Sequence, residues 1–227
     1  SFAMVATRYM SQYGVAPETL AKIAVHERDN ALKNPKAVFR DKPISVEDVL
    51  KSPMVCDPIH LLEMVMPCFG GGAVVVTSAE RAKRARNRPV FVSGYGECVT
   101  HKTVTYMKDM TVTPAKASAD RAFRMAGADR KRIDLASFYD CFTITVLLTI
   151  EDAGFAAKGQ GGRFVEEHDL RWSGDWPLNT HGGQLGMGQG GSAGGLSHVL
   201  DALRQIQGRA GDVQLPKCDL AYVTGVG

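Results

Sequence analysis

The 227-residue chain has little of what would place it in a specialised class. Its five cysteines (Cys56, Cys68, Cys98, Cys141 and Cys218) form no Cys-x-x-Cys pair and no Cys/His set at zinc spacing. That excludes a disulfide scaffold, and no metal site is expected. An odd, dispersed set reads as reduced thiols, so a cytoplasmic location is expected. No apolar run approaches the roughly 18 residues of a membrane span. Charge of one sign is scarce: 27 Lys and Arg against 24 Asp and Glu leave +3, too mild to argue for nucleic acid. Ser1-Phe2-Ala3-Met4 lacks the basic-then-apolar pattern of a signal peptide, and no initiator Met stands at position 1. What remains, 44% hydrophobic and 22% charged, is the usage of an ordinary globular protein with one large domain or two small ones.

Residues 1–34 carry helical periodicity through Met4, Tyr9, Met10, Leu20, Ile23 and Ala24, with Gly14 dividing two helices and Pro17-Glu18 opening the second. Residues 35–70 are proline-rich, with a short helix predicted at 46–50 behind a Ser45 cap. Ala73–Thr77 is a continuous apolar, β-branched run that suits a buried strand, and Pro89–Ser93 suits another. Helices are predicted at 79–85, 113–125, 143–152 and 192–207, and strands at 133–139 and 220–224. Residues 153–190 read as glycine-rich and irregular. Strands alternating with helices imply an α/β class with a sheet covered on both faces. No internal repeat is present, and the best boundary falls at Asn87-Arg88-Pro89.

Two places can carry chemistry. Gly182 to Gly195 holds eight glycines in fourteen residues and leads into a helix. Such backbone permits close approach of oxygen-rich groups to a helix start. Its GxGxxG match (Gly186, Gly188, Gly191) follows no strand, so a nucleotide fold is a weak reading; a loop built of glycine for tight packing is the alternative. The second is Tyr139-Asp140-Cys141-Phe142, at a strand's carboxyl end, where ligand crevices of α/β sheets open. Tyr139 can donate a hydrogen bond that Asp140 orients, or it can simply anchor the strand end. The basic run Arg81, Lys83, Arg84, Arg86, Arg88 reads as a solvated face. His26 reads as solvated or capped, and His198 as packed. His181 abuts the glycine loop and is a candidate acid/base.

Three stretches resemble the thiolase superfamily, nearest its sterol-carrier-protein or lipid-transfer type and relatives of acetyl-CoA acetyltransferase type. The first runs from Tyr13-Gly14 through Arg28, Ala31 and Asn34-Pro35 to Ser52-Pro53 and Asp57-Pro58. The second is Tyr139-Asp140-Cys141-Phe142, similar to an HDCF motif. The third is Asn179-x-x-Gly182-Gly183 through Gly188-Gln189 and Gly194, similar to N-x-x-GG-x(4)-GHP-x-G-x-x-G.

The resemblance implies a thiolase-like α/β fold. Residues 1–88 would be a linker/loop segment with the last strand and helix of an N-terminal half. Residues 89–227 would be the C-terminal domain, its last strand missing after the glycine-rich Tyr222–Gly227. It implies coenzyme A as a substrate moiety with no bound cofactor, a homodimer, and a small zinc-ribbon/OB-fold partner. The chain is expected to be the C-terminal part of a longer enzyme, because no cysteine here matches the nucleophile. Tyr139 stands for the motif histidine, Gln189 for the GHP histidine, and Tyr222 or Val223 for a second catalytic Cys or His. The implied catalytic set is Tyr139, Asp140, His181 and Gln189, and the substrate-binding set is Gly188, Gly190, Gly191 and Tyr222. A Gln amide can polarise a thioester carbonyl but cannot act as a base near neutral pH. The expected reaction makes or breaks a carbon–carbon bond beside a thioester carbonyl. Retro-aldol cleavage and mere acyl-CoA binding are the alternatives.

Overall fold

The computed structural model describes residues 1–225; the glycine-rich end at 226–227 lies outside them. Helix α1 (Phe2–Tyr13) stops at Gly14, whose φ of 68° lets its N–H close on Met10 O. Helix α2 (Pro17–Leu32) has proline in its first turn and Glu18 near its positive end. Helix α3 (Val46–Lys51) starts with a capping box in which Ser45 and Asp48 satisfy each other's backbone N–H. A small antiparallel pair follows, β1 (Met54–Cys56) and β2 (Ile59–His60). Further on come α4 (Ala79–Lys83), α5 (Ala115–Ala126), β3 (Leu135–Ser137), α6 (Thr143–Asp152), α7 (Gly161–Glu167), α8 (Gly183–Met187), α9 (Gly194–Ile206) and β4 (Ala221–Val223).

All ten residues of α6 are buried, its Ile, Val and Leu side chains in the core and its Glu151 and Asp152 carboxylates paired with Gly161 N and Thr113 N. Around it pack Tyr9 of α1, Leu20 and Ile23 of α2, Phe138, Val165, Leu170 and Leu178. Strand β3 pairs in parallel with β4, Ala136 opposite Tyr222. Asn179 N donates to Ala136 O at 2.9 Å, so the turn before α8 is bound to this sheet's edge. The fold is thus α/β, with helices dominating and two strands in each sheet among the described residues.

Three expectations need correction. Residues 73–77 and 89–93 form no strand, and Val75, Val76 and Val92 are 90%, 90% and 85% exposed. A β-branched apolar run becomes a strand only with a paired neighbour, and none of the described residues supplies one. The last strand assigned to residues 1–88 is therefore not formed. Residues 153–190 are not irregular throughout, because α7 and α8 lie within them. Their glycines hid the helices; Gly161 and Gly162 sit where a Cβ would press on Leu147, Glu151 and Val15.

His26 is buried rather than solvated, and its Nδ1 accepts from Leu170 N at 3.2 Å. Burial lowers its pKa from 6.5 to about 4, with Asp169 and Glu166 opposing and Arg171 and Lys22 adding to the shift. The unfolded chain therefore binds this proton more readily. Stability is full above pH 6.5 and is lost as pH falls toward 4. The expected loss between pH 7 and 5 is about 2 kcal/mol. Thermal melts against pH would check this, and His26→Gln should flatten the slope.

Candidate active site

The site is built where β3 ends. Phe138 N donates to Asn179 Oδ1 at 2.7 Å, and Asn179 Nδ2 returns a bond to Phe138 O at 3.0 Å. Asn179 has a φ of 47°, a left-handed conformation that Asn tolerates better than most residues. Tyr139 N is held by Thr224 Oγ1 at 3.2 Å, just beyond β4. With the backbone pinned on both sides, the Tyr139 ring is set toward the glycine loop. There Gln189 Nε2 donates to Tyr139 Oη at 3.0 Å.

Gln189 is itself fixed from the opposite side. Its N donates to Met66 O at 3.0 Å, and its O accepts from Cys68 N at 2.9 Å. Gly188, at φ 104°, makes this approach feasible, since a Cβ there would lie 2.7 Å from Cys68 Sγ and 2.9 Å from Val38 Cγ2. Because Gln189 fills an acceptor position on Tyr139 Oη, the phenolic hydrogen is left to donate elsewhere. Burial, with Cys141 and Asp140 nearby, raises the Tyr139 pKa, partly offset by the Gln189 bond. The phenol is thus a neutral donor at physiological pH. Cys141 is no nucleophile, because burial pushes its thiol up to about 12.

Asp140 does not orient the Tyr139 hydroxyl. The chain turns its carboxylate inward, where it is fully buried. Its Oδ2 accepts from Leu185 N at 2.9 Å, and its Oδ1 accepts from Gln184 Nε2 at 3.3 Å and lies 3.1 Å from His198 Nε2. Burial alone would raise this carboxyl, yet His198, with Glu27 and the Gln184 backbone, holds it well below the usual carboxylate range. His198 is therefore no mere packing residue. It is fully buried, its Nδ1 is 3.1 Å from Ser137 Oγ, and its ring centroid lies 6.2 Å from that of Tyr139.

His181 is buried beneath this layer, its Nδ1 3.1 Å from Asp201 Oδ2 but out of line for a hydrogen bond. Asp201 accepts from Thr180 Oγ1 at 2.7 Å and from Ser137 Oγ at 3.3 Å. His181 and His198 stand edge to face with centroids 5.2 Å apart. Gly190 and Gly191 follow Gln189 around the rim, and Gly191 adopts φ 56°. Tyr222 is placed elsewhere. Its ring lies 4.9 Å from Phe123 and 5.9 Å from Phe138, in an aromatic cluster where burial pushes its pKa up to about 12. Tyr139, Gln189 and the glycine rim thus come together. Asp140 and His181 lie behind them, and Tyr222 faces the core.

The sequence reading missed Glu27, Gln184, His198 and Asp201. Glu27 had a visible signal, since it shares a helical stripe with Leu20, Ala24 and Ala31. His198 and Asp201, three apart on α9, had another. Among the described residues, no group of three or more His, Cys, Asp or Glu is placed to hold a metal. No helix is long and apolar enough to cross a membrane. A cleft of about 470 Å³ opens at the amino end of β3, away from this site, lined by Asp134, Trp172, Trp176 and Lys217 among others.

The chain is similar to several known proteins. The chain is 35% identical over its whole length to acetyl-CoA acetyltransferase of Methanothermobacter thermautotrophicus, covering 59% of that protein. It is 35% identical to the steroid side-chain-cleaving aldolase of Thermomonospora curvata, over 91% of this chain and 53% of that one. The solved Ltp2-ChsH2(DUF35) aldolase superposes with a TM-score of 0.86 at 31% identity, covering 97% of this chain and 58% of its own. The chain thus spans between about half and three fifths of the length of these relatives. The family described as thiolase C-terminal domain-like matches residues 96–227, more than half of the chain and all of the Tyr139 and glycine-loop elements. By that match and the fold that carries it, the chain belongs to the thiolase C-terminal domain-like family.

Proposed function

We propose that this chain is part of a thiolase-like enzyme that makes or breaks a carbon–carbon bond beside the carbonyl of an acyl-CoA thioester. The observation that carries the reading is the Gln189–Tyr139 pair, 3.0 Å apart at the glycine rim, with a phenolic hydrogen left to donate. The Tyr139 phenol, the Gln189 amide and the rim N–H groups of Gly190 and Gly191 would bind the thioester oxygen as it gains enolate character. His181, buried behind the pair, would act as an acid/base only through intervening groups. Incubation of the full-length protein with a panel of acyl-CoA and β-hydroxyacyl-CoA thioesters, followed by product analysis, tests this. No bond change with any of them would leave acyl-CoA binding alone.

Retro-aldol cleavage is the second reading, favoured by position 189. An amide there stabilises an oxyanion but takes no proton from a thiol. Similarity to a steroid side-chain-cleaving aldolase supports it. If the missing base is what blocks thiolysis, Gln189→His in the full-length protein should raise acyl transfer relative to bond cleavage. An unchanged product ratio in the folded variant would count against the loop assignment.

The reading extends to organisation. Residues 1–88 would connect, and residues 89–227 would form the C-terminal unit of a longer protein carrying further catalytic groups. A homodimer and a small zinc-ribbon/OB-fold partner fit; the similar aldolase structure includes a DUF35 component. Coenzyme A would enter as part of the substrate, and the five free thiols fit a reducing cytoplasm.

A further inference from the structure

Glu27 sits in the middle of α2, 1% exposed, on the face that packs against α6 and α8. An ionised carboxylate in such a place is costly unless it is paired. Its Oε1 accepts from Asn179 Nδ2 at 2.7 Å. Its Oε2 has no N–H donor. What faces it across Gly183 is the carboxyl group of Asp140, also fully buried. Gly183 marks how closely the two approach, for a Cβ there would overlap Asp140 Oδ2 and come within 2.5 Å of Glu27 Oε2.

Two carboxyl groups sharing one dry pocket do not both ionise; the pair keeps a proton between them. The partners decide which group keeps it. Asp140 faces Leu185 N, Gln184 Nε2 and His198 Nε2, all suited to an anion. Glu27 has one amide donor and one oxygen that lacks any. We infer that Glu27 is held as the neutral acid, its O–H donating a hydrogen bond to the Asp140 carboxylate, and serves as a positioning residue for the Tyr139–Gln189 pair. Burial and the Asp140 charge raise the Glu27 pKa well above the usual carboxylate range, in the same direction.

The positioning follows from connectivity. Asp140 is the residue after Tyr139. Through Leu185 N it also grips α8, which ends two residues before Gln189. One carboxylate therefore ties both members of the pair, with His198 beside its Oδ1 and Glu27 beside its Oδ2 across Gly183. Glu27 also holds Asn179, whose amide pins Phe138 beside Tyr139. The catalytic part of this inference rests on the function proposed above; the protonation state does not.

Infrared difference spectra of the full-length protein against its Glu27→Gln variant test the proton directly. A protonated-carboxyl C=O band should be present at neutral pH in the wild type and lost in the variant. Gln keeps both roles, its amide N–H donating to Asp140 and its oxygen accepting from Asn179. Its kcat should therefore stay within ~3-fold of wild type. Glu27→Ala removes the donor and should lower kcat ~10-fold or more with KM moved less. Absence of the band, or Glu27→Gln losing as much as Glu27→Ala, would overturn the inference. A folded Glu27→Ala with wild-type kcat would overturn the positioning role. If no thioester is turned over, the function falls, while the infrared band still decides the proton.

Discussion

Tyr139→Phe in the full-length protein is expected to lower turnover by ~10²-fold or more while leaving the fold intact, the loss typical of one oxyanion donor or general acid. The hydroxyl is the only atom removed. Its partner, Gln189 Nε2, lies at the half-buried rim and can turn to water, so the stability cost is about 1 kcal/mol. The ring stays where its backbone bond to Thr224 and its contact with His198 place it. What disappears is a neutral donor already polarised by an incoming amide N–H. Steady-state kinetics with a competent acyl-CoA thioester, beside thermal melts, separate the two effects. Wild-type kinetics in the variant would remove Tyr139 from the chemistry.

The elements around this site were legible to different degrees, and the reason lies in where their partners come from. Helices α2, α3 and α6 were readable because their signals are local: Pro17 and Glu18 at one start, the Ser45 capping box at another, and an apolar run in the third. Strands β3 and β4 are readable as short, largely apolar segments, though their pairing is not. Tyr139 and Gln189 were each visible, but the 3.0 Å bond between them joins residues fifty apart in the chain and has no local signature. Asp140 was misread for the same reason. Adjacency in sequence suggests that Asp140 serves Tyr139, whereas the alternation of an extended chain sends adjacent side chains to opposite faces. Its true partners, Glu27, Leu185 and His198, come from three helices. Tyr222 was drawn toward the site by family position, yet its register opposite Ala136 turns the ring into the Phe123–Phe138–Phe155 cluster.

The 227-residue chain on its own is expected to self-associate or aggregate and to show no turnover of acyl-CoA thioesters. The cause is visible in the segments that read as buried strands. Val75, Val76 and Val92 are 85–90% exposed, and Phe91 is 56% exposed. These are β-branched and aromatic residues outside any strand, the kind of segment that pairs with other copies of itself. At roughly 25 cal/mol per Å² of apolar surface, a few hundred Å² left bare represents several kcal/mol, comparable to the whole stability of a domain. Relatives of which this chain spans little more than half carry further sequence, and a thiolase-like enzyme of that length would bury such runs in a second unit. Sedimentation velocity of the chain alone should show oligomers whose proportion grows with concentration. Threonine at positions 75, 76 and 92 together should lower that proportion, because it keeps the β-branched shape and removes the apolar driving force. Full-length protein should sediment as one discrete species and be active. A monomeric, cooperatively melting 227-residue chain that turned over an acyl-CoA thioester unaided would overturn both the two-unit arrangement and the incomplete site.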